Sequence, residues 1–148
     1  MSVTLNPQIL GQAENAHRAL LDHILTRMDA AIGYAEWVTI KVTAVSGPAA
    51  RDEIAARISD ALKVDSATTI AALTGAGLLA ADDELALTPE GRALHDRVSA
   101  AIGEILSDVY GEVSTADLAT AGRVLTTVTA RVNAALADCP ALSEGARP

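Results

Sequence analysis

Apolar residues recur every three or four positions over most of this chain, the spacing that lines one face of an α-helix. From Pro7 to about Ile32 the stripe is Leu10, Ala13, Leu20, Leu21, Ile24, Met28 and Ala31, with His17 on the same side. A second helix is predicted from Glu36 to about Val45 around Trp37, Ile40 and Val42. Ser46-Gly47-Pro48 ends it, because proline cannot continue a helix. In the next segment Ile54 and Ile58 share one buried face, and Ser59-Asp60 offers a turn and a cap. The helix that follows turns Leu62, Ser66, Thr69, Ile70 and Leu73 inward. It stops at Gly75 and Gly77, where a positive φ meets no Cβ.

Helical spacing then gives way to two short runs, Leu78-Leu79-Ala80 and Leu85-Ala86-Leu87, which can pair across Ala81-Asp82-Asp83-Glu84. Thr88 as cap and Pro89 at the first helical position restart a helix. It runs to about Val109 on Leu94, Val98, Ala101, Ile102, Ile105 and Val109. In the last helix Ser114 and Asp117 form a capping-box-like pair and Val113 with Leu118 a hydrophobic staple. Its stripe is Leu118, Ala121, Leu125, Val128, Val132 and Ala135.

The predicted fold is mainly α with a small two-stranded β wing: a winged helix-turn-helix with long N- and C-terminal dimerisation helices. Such a module needs only short helices, so the long ones require partners, and a two-fold homodimer supplies them. The expected organisation is a helical dimerisation region over 7–32 and 89–137, a winged helix-turn-helix DNA-binding region over 33–88, and a flexible tail over 138–148. Two such modules set one DNA turn apart suit a pseudo-palindromic operator in double-stranded DNA.

Composition agrees with helices packed through small side chains. Half of the 148 residues are apolar, yet only 2% are aromatic. This length supports one compact domain or two closely joined halves. The single cysteine, Cys139, excludes an internal disulfide and suits a reducing compartment. With neither a signal peptide nor a membrane span legible in the chain, the expectation is a soluble cytoplasmic protein with no membrane partner.

Three segments carry a family resemblance: Asp52-Glu53-Ile54-Ala55-Ala56-Arg57-Ile58, Leu73-Thr74-Gly75-Ala76-Gly77-Leu78-Leu79, and Leu87-Thr88-Pro89-Glu90-Gly91-Arg92-Ala93-Leu94. In this order, between long helices, they resemble the MarR family of bacterial regulators over roughly residues 8 to 137. The resemblance implies a homodimeric transcription factor without catalytic residues or cofactor, commonly a repressor released by a small-molecule effector or by thiol oxidation. On that pattern Lys63, Ser66, Thr68 and Thr69 enter the major groove, while Arg51 and Arg92 hold phosphates.

Two departures weigh against strong DNA binding. Family wings typically carry an arginine at the tip, where this chain has Asp82-Asp83-Glu84. Residues 33–90 hold nine acids against four bases, a net charge of −5, and the whole chain has −8. Phosphate contacts normally supply most sequence-independent affinity, and carboxylates oppose them. A MarR-shaped dimer with lost or weak DNA binding, acting as a ligand- or protein-binding module, is therefore the alternative.

Other chemistry is thin. His17, Arg27, Tyr34 and Trp37, with Met28, have the size and polarity to shape a site for a small aromatic or acidic compound. The plainer reading is that Trp37 anchors the core and Tyr34 covers a joint. His17, His23, His95 and Cys139 lack metal-ligand spacing, so no metal is expected. Cys139 has no neighbouring base to activate it, which argues against a redox sensor. Without a nucleophile elbow, phosphate loop or dinucleotide fingerprint, nothing points to an enzyme.

Overall fold

A computed structural model describes residues 2–139. Helices α1 (Pro7–Arg27) and α2 (Tyr34–Ser46) lead into strand β1 (Ala49–Ala50), α3 (Arg51–Leu62) and α4 (Ala67–Gly75). Strands β2 (Leu79–Ala81) and β3 (Glu84–Leu87) follow, then the long helices α5 (Pro89–Gly111) and α6 (Thr115–Ala137). The chain is mainly α, in winged helix-turn-helix order. It divides within α5 into two compact units, one ending at Glu104 and the other beginning at Ile105.

The core of the first unit is built from aliphatic side chains of nearly every element. Leu25, Ile40, Ile54, Ile58, Leu73, Leu85 and Val98 are fully buried, and Leu21, Ile24 and Trp37 join them. The Ile54/Ile58 pair therefore serves as its spacing predicted. Two threonines of α2 are buried as well. Thr39 and Thr43 donate their hydroxyls to the carbonyls four residues back, Ala35 at 2.9 Å and Thr39 at 2.8 Å. This satisfies groups that would otherwise be costly to bury.

The wing is an antiparallel sheet of strand order β1-β3-β2. Leu79 faces Leu87 and Ala81 faces Leu85 in the expected hairpin, while Ala49 and Ala50 pair with Leu85 and Glu84 as a third strand. Gly77, at φ +78°, turns the chain out of α4, and the amide of Leu78 reaches back to the Leu73 carbonyl at 3.0 Å. Thr88 then joins wing to helix. It accepts from the Gly91 amide at 3.0 Å, capping α5, and donates to the Gly77 carbonyl at 2.6 Å. Gly91 is buried so closely that a Cβ would overlap the Leu78 carbonyl.

Two boundaries differ from the sequence reading. α1 stops at Arg27 instead of about Ile32, because Asp29 adopts φ 52° and the Ala30 amide closes onto the Leu25 carbonyl at 3.0 Å. α3 runs through Ser59-Asp60, which is neither turn nor cap, and ends at Leu62.

In the second unit, Ser114 caps α6 by accepting from the Asp117 amide at 3.1 Å, as the sequence predicted. No residue of α6 is buried, and Val132 and Leu136 are 59% and 60% exposed. Residues 140–148 of the expected tail lie outside the described residues. Among the described residues, no helix is long and apolar enough to cross a membrane.

Candidate nucleic-acid interface

The turn between α3 and α4 begins at Lys63, a non-glycine residue in the left-handed region at φ 59°. Ser66 holds that turn. Its hydroxyl donates to the Ala55 carbonyl at 3.1 Å and accepts from Ser59 Oγ at 3.0 Å, while its amide donates to Ser59 Oγ at 3.1 Å. Only 2% of Ser66 is exposed, so the expectation that it reads base edges is corrected. Its polar atoms are already engaged inside the protein, and Ser59 is the partner that sequence reasoning mistook for a turn residue. Ser66→Ala would remove the hydroxyl that bonds both the Ala55 carbonyl and Ser59 Oγ. The expected loss is about 1–3 kcal/mol, read from the midpoint of urea unfolding at unchanged slope.

Beyond the turn, α4 buries Ile70 and Leu73 and leaves Ala67, Thr68, Ala71, Ala72, Thr74 and Gly75 exposed. Thr68 stands on this open face, and Thr69 is half-buried at its margin. The N-terminus of α4 meets a carboxylate, since Asp65 Oδ1 accepts from the Ala67 amide at 3.2 Å. A phosphate would have to compete with that charge for the same end of the helix. Sequence reasoning missed this role of Asp65, although Asp two residues before a helical stretch is a recognisable capping signal.

The bases are unevenly available. Lys63 Nζ is paired with Asp60 at 3.0 Å, and Arg57 with Glu53 at 3.0 Å and Ser46 Oγ at 2.9 Å. Arg51 and Arg92 are exposed and make no ion pair with a described residue. The Arg51 amide donates to the Asp83 carbonyl at 3.1 Å, which ties the start of α3 to the wing tip. Arg51 therefore shares a shallow groove with Asp52, Asp82 and Asp83. The acidic tip sits beside Arg51, lowering the local attraction for phosphate.

The four residues expected to shape a ligand site do not converge. Trp37 is 2% exposed, its ring stacked on His95 with centroids 5.8 Å apart. Tyr34 is half-buried beneath the Arg18 guanidinium, which lies 4.1 Å from its ring centre. His17 and Arg27 are exposed and ten residues apart on α1, about 15 Å along its axis. Trp37 and Tyr34 take the core and covering roles of the plainer reading. A groove of about 360 Å³ opens elsewhere, where Arg97, Glu90 and Asp29 surround Ile32, Leu78 and Leu94. No sequence motif signalled it. Its residues come from three separate segments.

No family model and no curated protein matches the chain. Solved structures do. Ligand-free NadR aligns at a TM-score of 0.70 and 22% identity, covering 89% of this chain and 98% of that one. The MarR family protein Rv2887 of Mycobacterium tuberculosis, in complex with DNA, aligns at 0.64 and 19%, covering 85% and 98%. BpsR of Bordetella bronchiseptica, whose DNA binding is regulated by 6-hydroxynicotinic acid, aligns at 0.63 and 22%, covering 84% and 93%. The fold is that of the winged-helix regulators of the MarR type. At these identities the likeness is one of fold.

Proposed function

We propose that this protein is a homodimeric, MarR-type transcriptional regulator of the cytoplasm that binds double-stranded DNA without catalysing a reaction. It acts as a repressor released by a small-molecule effector. One observation carries the reading: the outer face of α4 stands open in a helix-turn-helix whose turn is fixed by the hydrogen bond of Ser59 to the buried Ser66. The DNA complex of Rv2887 has the same fold and supports placing α4 in the major groove. Thr68 and Thr69 face base edges, Arg51 and Arg92 take phosphates, and Lys63 contributes once its pair with Asp60 opens. Dimerisation uses the half-covered stripe of α6, with 7–32 and 89–137 as the dimerisation region. The effector reading takes its support from BpsR, which answers to a small aromatic acid, and Arg97 offers such a carboxylate a free guanidinium.

Fluorescence anisotropy against the DNA upstream of the reading frame tests this. Arg51 and Arg92 in two copies give about four phosphate contacts, so the slope of log K against log salt should be roughly −3.6. Affinity should then fall on the order of 100-fold between 50 and 200 mM salt. Arg92→Ala should flatten the slope by about 2 per dimer. The absence of any binding at low salt would instead favour a MarR-shaped module that has lost DNA reading. The net charge of −5 over residues 33–90 supports that second reading.

A further inference from the structure

We infer that α4 selects its DNA site chiefly through the C5-methyl groups of thymine, so the base pairs beneath it are A·T. This rests on the regulator reading above and asks what that interface can recognise. α4 carries no Arg, Lys, Asn, Gln, Asp or Glu anywhere along its length. Bidentate recognition of guanine needs Arg or Lys, that of adenine needs Asn or Gln, and acceptance from cytosine needs a carboxylate. None of these is available on the helix that faces the groove.

What remains is a set of methyl groups and the hydroxyls of Thr68 and Thr69. Ala67, Ala71 and Ala72 each present a Cβ to solvent, and Thr68 adds a methyl beside its hydroxyl. The Thr74 hydroxyl is not available, because it donates to the Ile70 carbonyl at 2.7 Å. Val64, 62% exposed in the turn ahead of α4, extends the apolar set. In the major groove the thymine methyl is the one apolar group that a base edge offers, and contact with Ala or Thr methyls is how proteins recognise it. Geometry helps as well. A helix with full side chains is about 10–12 Å across and the groove about 12 Å wide, so a face trimmed to Ala and Gly can lie deeper against the bases.

With Lys63 held by Asp60 and the wing tip acidic, phosphate attraction is reduced and methyl contacts make up a larger share of the total affinity.

The test uses the full-length wild-type protein. Duplexes are selected from a randomised pool at low salt, and each thymine of the selected site is then replaced singly by uracil, which removes only the major-groove methyl. The expected result is selection of A·T pairs in each half-site, with at least one thymine per half-site whose replacement weakens binding about 4-fold, the value of one buried methyl-sized group. Replacing its symmetry mate as well should bring the loss to roughly 16-fold. A selected core of G·C pairs, or a bound site indifferent to uracil at every thymine, overturns this inference while leaving the regulator reading intact. Failure to enrich any duplex overturns both.

Discussion

Leu125→Asp should convert the protein to a monomer at concentrations where the parent chain is a dimer, as read by light scattering after size exclusion. α6 is a helix of 23 residues without a single buried side chain, although Leu118, Ala121, Leu125, Val128 and Val132 repeat at helical spacing along it. Leu118, Leu125 and Val128 are only half-buried and Ala121 and Val132 are exposed, so the stripe marks a surface that another element can finish covering. The chain itself leaves Val124, Val132 and Leu136 at least 40% exposed. A second copy related by a two-fold axis would cover both stripes at once. Leu125 then counts twice. Losing about 2–3 kcal/mol for each leucine gives roughly 5 kcal/mol per dimer, a weakening on the order of 10³ to 10⁴, before the cost of placing two carboxylates together. If the variant stays dimeric, α6 is not the interface.

The second large effect is expected at Gly91. Its Cα packs against the Leu78 backbone where the wing enters and α5 leaves, and any Cβ would meet the Leu78 carbonyl oxygen. That carbonyl also accepts from the Thr88 amide at 3.2 Å, and Gly91 itself supplies the amide that Thr88 caps. Gly91→Ala must therefore push α5 away from β2 and loosen the cap. The obstacle is backbone, which cannot rotate aside as a side chain would. A loss of about 3 kcal/mol is expected, at the upper end of overpacking effects. Thermal unfolding should shift down by on the order of 10 °C. Gly75→Ala is the control, since a Cβ there meets nothing within 4 Å. Its effect should be small and stabilising, because alanine favours the helix.

Helical periodicity, the Thr88-Pro89 and Ser114 caps, and the glycines at the end of α4 make the order of elements legible in the sequence. These signals are local and depend on a few side chains next to one another. The misreadings arose where tertiary contact decided. Ser59 resembles a cap in sequence, yet its hydroxyl serves Ser66 across the turn, and α3 continues to Leu62. The real turn falls at Lys63, whose left-handed backbone a lysine does not advertise. β1 consists of two alanines and is a strand only because Leu85 and Glu84 lie opposite. The candidate site divided in the same way. Thr68, Arg51 and Arg92 were legible as exposed polar positions. The inward position of Ser66 and the core role of Trp37 also followed from the sequence, but the bonds of Ser66 to Ser59 and Ala55 and the pairing of Lys63 with Asp60 depend on neighbours that spacing alone did not identify.

If the chain is the regulator proposed above, its acidic hairpin tip bears on how it finds one site among a genome of competitors. Random-sequence duplex offers mainly backbone charge, and Asp82 and Asp83 repel that everywhere alike. A matched operator adds contacts that random sequence lacks. Weakening both backgrounds equally leaves the ratio between them untouched but frees more of the protein from unproductive sequestration. On the proposed reading, such a chain regulates at modest absolute affinity, with short residence on its operator.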